Sequence, residues 1–183
     1  MLHKGQELRA PEMGLLASIG HTRNILVYKR PVLGLVSTGN ELVDVTTSTA
    51  DLLPGKIRDS NKIMLESLLS RSAQVINLGS VGDSSKEIDA VYSKAMDECD
   101  VIVSTGGVSM GQYDLIKPYI ESRGQVYFGR LNMKPGKPTT FGRIRDTLVF
   151  GLPGNPVSCF VTATLFLEMT LGLLAGSDNV LLK

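Results

Sequence analysis

Residues 100–114, DVIVSTGGVSMGQYD, pass from an apolar run (Val101, Ile102, Val103) into Ser104, Thr105, Gly106, Gly107 and Ser109, and end on Asp114. Glycines let backbone N–H groups close on a ligand, hydroxyls donate hydrogen bonds, and a carboxylate can hold a divalent cation. A strand that ends this way builds an anion site. A tight strand–helix turn alone needs only the glycines. The same order of strand, hydroxyl, glycine and acid recurs at Ser37, Thr38, Gly39 and Glu41, and a shorter version at Gly79, Gly82 and Asp83. Glu41, Asp83 and Asp114 can each be helix caps or surface acids. Gathered at strand ends opposite a phosphate-type loop, they suit a hard cation with oxygen ligands, Mg²⁺ bridging phosphate oxygens being the expected case. Lys134 and Lys137 stand three residues apart on a backbone stiffened by Pro135 and Pro138. They form either a solvated basic turn or, beside the glycine loop, a pre-ordered pair of cations for an oxyanion. Gly154 precedes Asn155 and Pro156, an N-cap and first helical residue whose helix also turns free N–H groups toward an anion.

Composition narrows the partners. With 183 residues and 43% hydrophobic content, the chain can bury the core of one α/β domain with a little extra. A net charge of +1 gives no overall reason to expect nucleic acid or an anionic membrane surface. Cys99 and Cys159 lack metal or redox spacing, and no signal-peptide pattern opens the chain, so a cytoplasmic protein with reduced core thiols is expected. The two histidines, His3 and His21, both lie in the first stretch, which argues against a histidine metal cluster or catalytic triad.

Strands and helices must alternate to bring these loops together. Residues 1–30 read as the end of a preceding domain or linker, with a short helix over 12–19, a strand over 24–28 and a boundary at Pro31. The α/β domain spans 31–176, and 177–183 form a tail. Strands are expected at 32–36, 75–78, 100–103, 125–128 and 147–151. Ser60 is the expected N-cap of a helix carrying Met64, Leu65, Leu68 and Leu69. Ser84 and Glu87 have the spacing of a capping box ahead of Ile88, Val91, Tyr92 and Ala95. Asp114 is a possible cap for a helix with Pro118 near its first turn. Residues 157–175 form a helix apolar almost all round; the length could span a bilayer, but without basic flanks it is better placed on the sheet and against a partner subunit, with no membrane span. The alternation predicts an α/β fold, a mostly parallel sheet with helices on both faces, whose right-handed crossovers gather the loops at 37–41, 79–83 and 104–114 on one edge.

The motifs STGNEL (37–42), LLPGKIRDSN (52–61), GD (82–83), STGGVSMGQYD (104–114), MKPGKPTTF (133–141) and GLPGNPVS (151–158) together resemble one family over about residues 31–175. It is the molybdenum-cofactor biosynthesis domain shared by MoeA, the E domain of gephyrin and its plant counterpart. The resemblance implies a three-layer α/β/α sandwich of the MoaB/Mog kind and a homodimer. It also implies insertion of molybdate into adenylylated molybdopterin with release of AMP, using Mg²⁺ or Zn²⁺. Carried over by motif, Ser109, Lys134 and Lys137 match molybdate-site residues, Asp83 and Asp114 the catalytic, metal-associated acids, and Glu41 a further active-site acid. The other motif positions, Ser37, Thr38, Gly39, Thr105, Gly106, Gly107, Pro138, Gly154, Asn155, Pro156 and Ser158, are expected to bind the pterin substrate.

A second branch of the same fold adenylylates molybdopterin with ATP and usually carries GGTG and PGSPKA-like loops. Gly107-Val108-Ser109 and the PGNPVS run side with the molybdate-inserting branch. An adenylyltransferase remains the enzymatic alternative and is also an expected partner. A non-catalytic scaffold, as the gephyrin E domain is in animals, is the other alternative. MoeA-type relatives carry an elongated segment before the core and a small β domain after it, and the segment EMGLLASIG (12–20) resembles the end of the former.

Overall fold

The structure, a computed structural model, describes residues 2–21, 23–108 and 115–177. Its centre is a six-stranded sheet in the order β4-β1-β5-β8-β7-β6. The strands are β1 (Val32–Thr38), β4 (Gln74–Val81), β5 (Val101–Thr105), β6 (Gln125–Phe128), β7 (Thr140–Ile144) and β8 (Thr147–Leu152). β4, β1, β5 and β8 run parallel, while β7 and β6 join antiparallel. β1 and β5 are buried along their whole length, which is why their sequences are continuous apolar runs rather than alternating ones.

Residue parity along those strands separates two cores. Leu33, Leu35, Val101, Val103, Phe150 and Leu152 pack under α2 (Ser60–Leu69) and a rod made of α5 (Pro156–Thr162), a π-helical segment (Ala163–Leu167) and α6 (Glu168–Leu174). On the opposite face Val32, Val36, Ile102 and Val149 pack under α3 (Ser85–Ala95) and α4 (Ile116–Arg123). The result is the three-layer α/β/α sandwich expected from the sequence. The chain passes from β1 through α2 to β4 on one side of β1, and then through α3 to β5 on the other. β1 and β5 therefore send their outgoing segments to opposite faces. A crevice opens between them at the carboxyl edge, the general position of ligand sites in open α/β sheets.

Several local expectations are corrected. Residues 24–28 form no strand; Asn24 turns the chain at φ 57°, no partner strand accompanies them among the described residues, and Leu26 is 99% exposed. α1 (Ala10–Ser18) forms as expected within two residues. The cap of α2 is Asp59, not Ser60: its Oδ1 accepts from the Lys62 N–H, a carboxylate at the positive end of the helix dipole. Ser84 occupies the N-cap of α3 without a side-chain bond, and Glu87 Oε2 accepts from the Gly82 N–H at 2.8 Å, so the capping box does not close. β4 continues through Gly79 (φ 88°) to Val81. There its register with β1 shifts between Leu35 and Ser37, and the Gly79 N–H donates to Asn77 Oδ1. A parallel pair, β2 (Leu42–Val43) and β3 (Ile57–Arg58), was too short to show in the sequence.

The rod 156–174 is the one described helix long and apolar enough to cross a membrane. Its stripe of Cys159, Thr162, Ala163, Leu167 and Leu171 is buried, those apolar groups facing the sheet, while Val157, Phe160, Leu173 and Leu174 are exposed. Its packing on the sheet agrees with the sequence reading. Leu35→Ala is expected to lower stability by about 2–5 kcal/mol in urea denaturation, as for a truncated core leucine. Leu26→Ala should change it by less than about 0.5 kcal/mol.

Candidate functional site

Three glycine-bearing loops meet at the carboxyl edge of the sheet. Thr38 ends β1, and Gly39, Asn40 and Glu41 follow it; Gly106, Gly107 and Val108 follow β5; Pro153, Gly154 and Asn155 follow β8. With Asp83, Pro138 and Ser158 they line a cleft of about 730 Å³. The edge expected to collect the loops at 37–41, 79–83 and 104–114 does so for their described residues.

The floor of the cleft depends on contacts too close for any side chain. Gly106 (φ 82°) lies against the backbone of Thr38, where an added Cβ would come within 2.3 Å of the Thr38 carbonyl oxygen. The Gly106 N–H donates to the Leu152 carbonyl at 3.0 Å, tying the loop after β5 to the end of β8. Beneath the floor the last residues of β1 and β5 exchange hydroxyl bonds on both faces of the sheet. Thr38 Oγ1 pairs with Ser104 Oγ at 3.0 Å, and Thr105 Oγ1 donates to Ser37 Oγ at 3.1 Å. All four residues are buried, so Ser37 and Thr105 lie behind the cleft rather than on its wall, and of the four only Thr38 lines it.

The wall after β1 is fastened to the end of β4. The Gly39 N–H donates to the Val81 carbonyl at 3.1 Å, and Asn40 Oδ1 accepts from the Asp83 N–H at 3.4 Å. The Glu41 carboxylate folds back over Gly39, where a Cβ would stand 2.5 Å from its Oε2. Glu41 and Asp83 thus share the cleft, while Ser109 and Asp114 lie outside the described residues. Among the described residues no group of three or more His, Cys, Asp or Glu comes together.

Lys134 and Lys137 are exposed, on a turn closed by the Leu131 N–H to the Lys137 carbonyl (2.9 Å) and by Thr139 Oγ1 to the Gly136 carbonyl (2.7 Å). The peptide between Lys134 and Pro135 is cis. Gly136 sits against Thr162, where a Cβ would meet Thr162 Cγ2 at 2.5 Å. Pro138 brings this turn to the cleft wall; the lysines are not among the lining residues. Asn155 caps α5 through Oδ1, which accepts from the Ser158 N–H at 3.2 Å, and Pro156 opens the helix as the sequence predicts.

Residues that sequence reading did not single out complete the frame. Asn40 and Pro153 line the cleft, and Asn61 reaches from α2 to the Gly154 carbonyl at 2.8 Å. Asn40 stands inside the STGNEL run and was open to notice there; Asn61 was visible only as part of a helix start. Lys62 Nζ lies 3.2 Å from Asp59 and donates to Ser80 Oγ at 2.9 Å, a largely buried pair that pins α2 to β4. Both cysteines are free and buried. Burial pushes the Cys99 thiol up to about 11 and the Cys159 thiol up to about 12, with nearby acids adding to each.

A crevice at the switch point of a parallel sheet, walled by glycine backbone and two carboxylates, defines a ligand-binding α/β domain. The chain belongs to the molybdenum-cofactor biosynthesis domain family, described as "Probable molybdopterin binding domain", which matches residues 34–172. It is 38% identical to gephyrin of Dictyostelium discoideum over 96% of this chain and 28% of that protein. It is 36% identical to the molybdopterin molybdenumtransferase of Haemophilus influenzae over 98% of this chain and 44% of that one. The crystal structure of the MoeA molybdopterin biosynthesis protein of Pyrococcus horikoshii superposes with a TM-score of 0.82 at 31% identity, over 97% of this chain and 44% of that one. The chain therefore spans less than half the length of these relatives.

Gly106→Ala is expected to cost at least about 2 kcal/mol in urea denaturation, since it adds left-handed strain to a backbone clash. Gly154→Ala, whose Cβ would meet nothing nearer than 3.7 Å, should cost less. The raised Cys159 thiol favours the folded state fully below about pH 9 and loses that contribution as pH rises toward 12. Cys159→Ala should make the alkaline fall of stability shallower, as measured by urea midpoints across that range.

Proposed function

We propose that this domain inserts molybdate into adenylylated molybdopterin, forming molybdenum cofactor and releasing AMP. The observation that carries the reading is the cleft itself. Glycine backbone after β5, the carboxylates Glu41 and Asp83, Pro138, and the start of α5 with Ser158 surround one space, and the exposed Lys134 and Lys137 stand on the turn that carries Pro138. The similarity to molybdopterin molybdenumtransferases supports the same reaction class.

Roles follow from residue chemistry. Lys134 and Lys137 supply positive charge for the tetrahedral molybdate dianion, with Ser109 as a hydroxyl donor in the same reading. The glycine loop offers backbone N–H groups to the pyrophosphate, and the start of α5 adds the positive end of a helix dipole. Glu41 and Asp83 present hard oxygen ligands without imidazole or thiolate among the lining residues, a donor set that suits Mg²⁺ better than Zn²⁺; Asp114 is the third acid of the reading. A cation held there would offset charge on the pyrophosphate as AMP leaves. The remaining elements of the proposal are a cytoplasmic homodimer and supply of the adenylylated substrate by a separate adenylyltransferase.

The test is AMP release from adenylylated molybdopterin on addition of molybdate. Lys137→Ala should lower it at least about tenfold while AMP binding is kept, in line with the loss of one charge-assisted contact. Unchanged release from a folded Lys137→Ala variant would remove that lysine from the mechanism. Formation of adenylate from ATP and molybdopterin by the wild-type chain would replace the proposal with the adenylyltransferase reaction.

A further inference from the structure

Asn61 stands in the first turn of α2, is 8% exposed, and reaches 93 positions along the chain to the cleft. Its Nδ2 donates to the Gly154 carbonyl at 2.8 Å. Its Oδ1 is buried without a hydrogen-bond partner among the described residues. A buried unpaired acceptor is a cost to the fold, so Asn61 is not explained by its contribution to stability alone. Gly154 itself is exposed and lines the cleft, so water could satisfy its carbonyl if Asn61 did not. The bond to Asn61 is thus not needed to keep Gly154 hydrogen-bonded.

What the bond does is fix a peptide plane. The Gly154–Asn155 peptide is trans, so its C=O and the Asn155 N–H point in opposite directions from one rigid unit. With the carbonyl drawn toward α2, the Asn155 N–H is directed away from α2. The same peptide begins the cap of α5, where Asn155 Oδ1 holds the Ser158 N–H. We infer that Asn61 is a positioning residue for the cleft, orienting the Asn155 N–H and the first turn of α5 toward an oxyanion or phosphate of the ligand. This inference rests on the functional reading above insofar as the ligand is taken to be anionic. It adds a residue that touches neither substrate nor metal.

Asn61→Leu tests it, with Asn61→Ala as a second variant that removes the donor without adding charge or bulk. AMP with Mg²⁺, and molybdate, are titrated separately by calorimetry against the wild-type chain and each variant, alongside thermal midpoints. The expected result is an Asn61→Leu midpoint equal to or above wild type, because an unpaired buried acceptor has been removed, with affinity for at least one probe about tenfold weaker. Asn61→Ala should also bind more weakly, and it decides the matter if the leucine variant does not fold. Wild-type affinity in a folded variant overturns the inference and leaves the functional reading standing. A midpoint that falls in step with affinity also overturns it, since that is a structural role. Binding of neither probe by the wild type overturns the functional reading and this inference with it.

Discussion

The contact on which this architecture depends is the approach of Gly106 to the Thr38 carbonyl at the ends of β1 and β5. Those two strands send the chain to opposite faces of the sheet, and only a residue without a side chain lets their exits come this close. Two cross-strand hydroxyl pairs directly behind lock the strand ends together, one on each face. Four small polar residues where apolar ones would otherwise pack are tolerable because each hydroxyl finds a partner. The cleft is the space left outside this junction. Its walls are fastened by main-chain bonds to Val81 and Leu152, so its floor is made of backbone rather than of adjustable side chains.

Much of the frame was legible in the residues. Val32–Val36 and Val101–Val103 are continuous apolar runs because parallel strands are buried on both faces, and the stripe Ile88, Tyr92, Ala95 marks the buried side of α3. Loops after such strands must share an edge, so the convergence of residues 38–41, 83 and 106–108 followed from topology. What escaped was set by distant partners. Residues 24–28 have strand composition but, among the described residues, no neighbouring strand to complete a ladder. Glu87 was expected to serve its own helix cap and instead binds Gly82. The partner of Asn61 lies on another element, and no local pattern announces it.

Family membership and geometry divide the explanatory work. The match over residues 34–172 explains why these motifs occur in this order. The structure explains their differing environments: Ser37 and Thr105 are internal braces, Thr38, Glu41 and Asp83 face the cleft, and Lys134 and Lys137 stand exposed on a hydrogen-bonded turn. Runs that look equivalent along the sequence therefore contain both cleft-facing and buried, bracing members. Parity along the strand decides which face each residue joins.

The irregularity in β4 has a consequence for life in a crowded solution. β4 is an outer strand, and an outer strand with regular spacing invites another chain to pair with it. At Gly79 the backbone turns to φ 88°, the spacing against β1 shifts, and the N–H is taken by Asn77 of the same strand. An incoming strand would meet a ladder broken in the middle, with one of its donors already occupied. That break makes the β4 edge a poorer template for pairing between molecules.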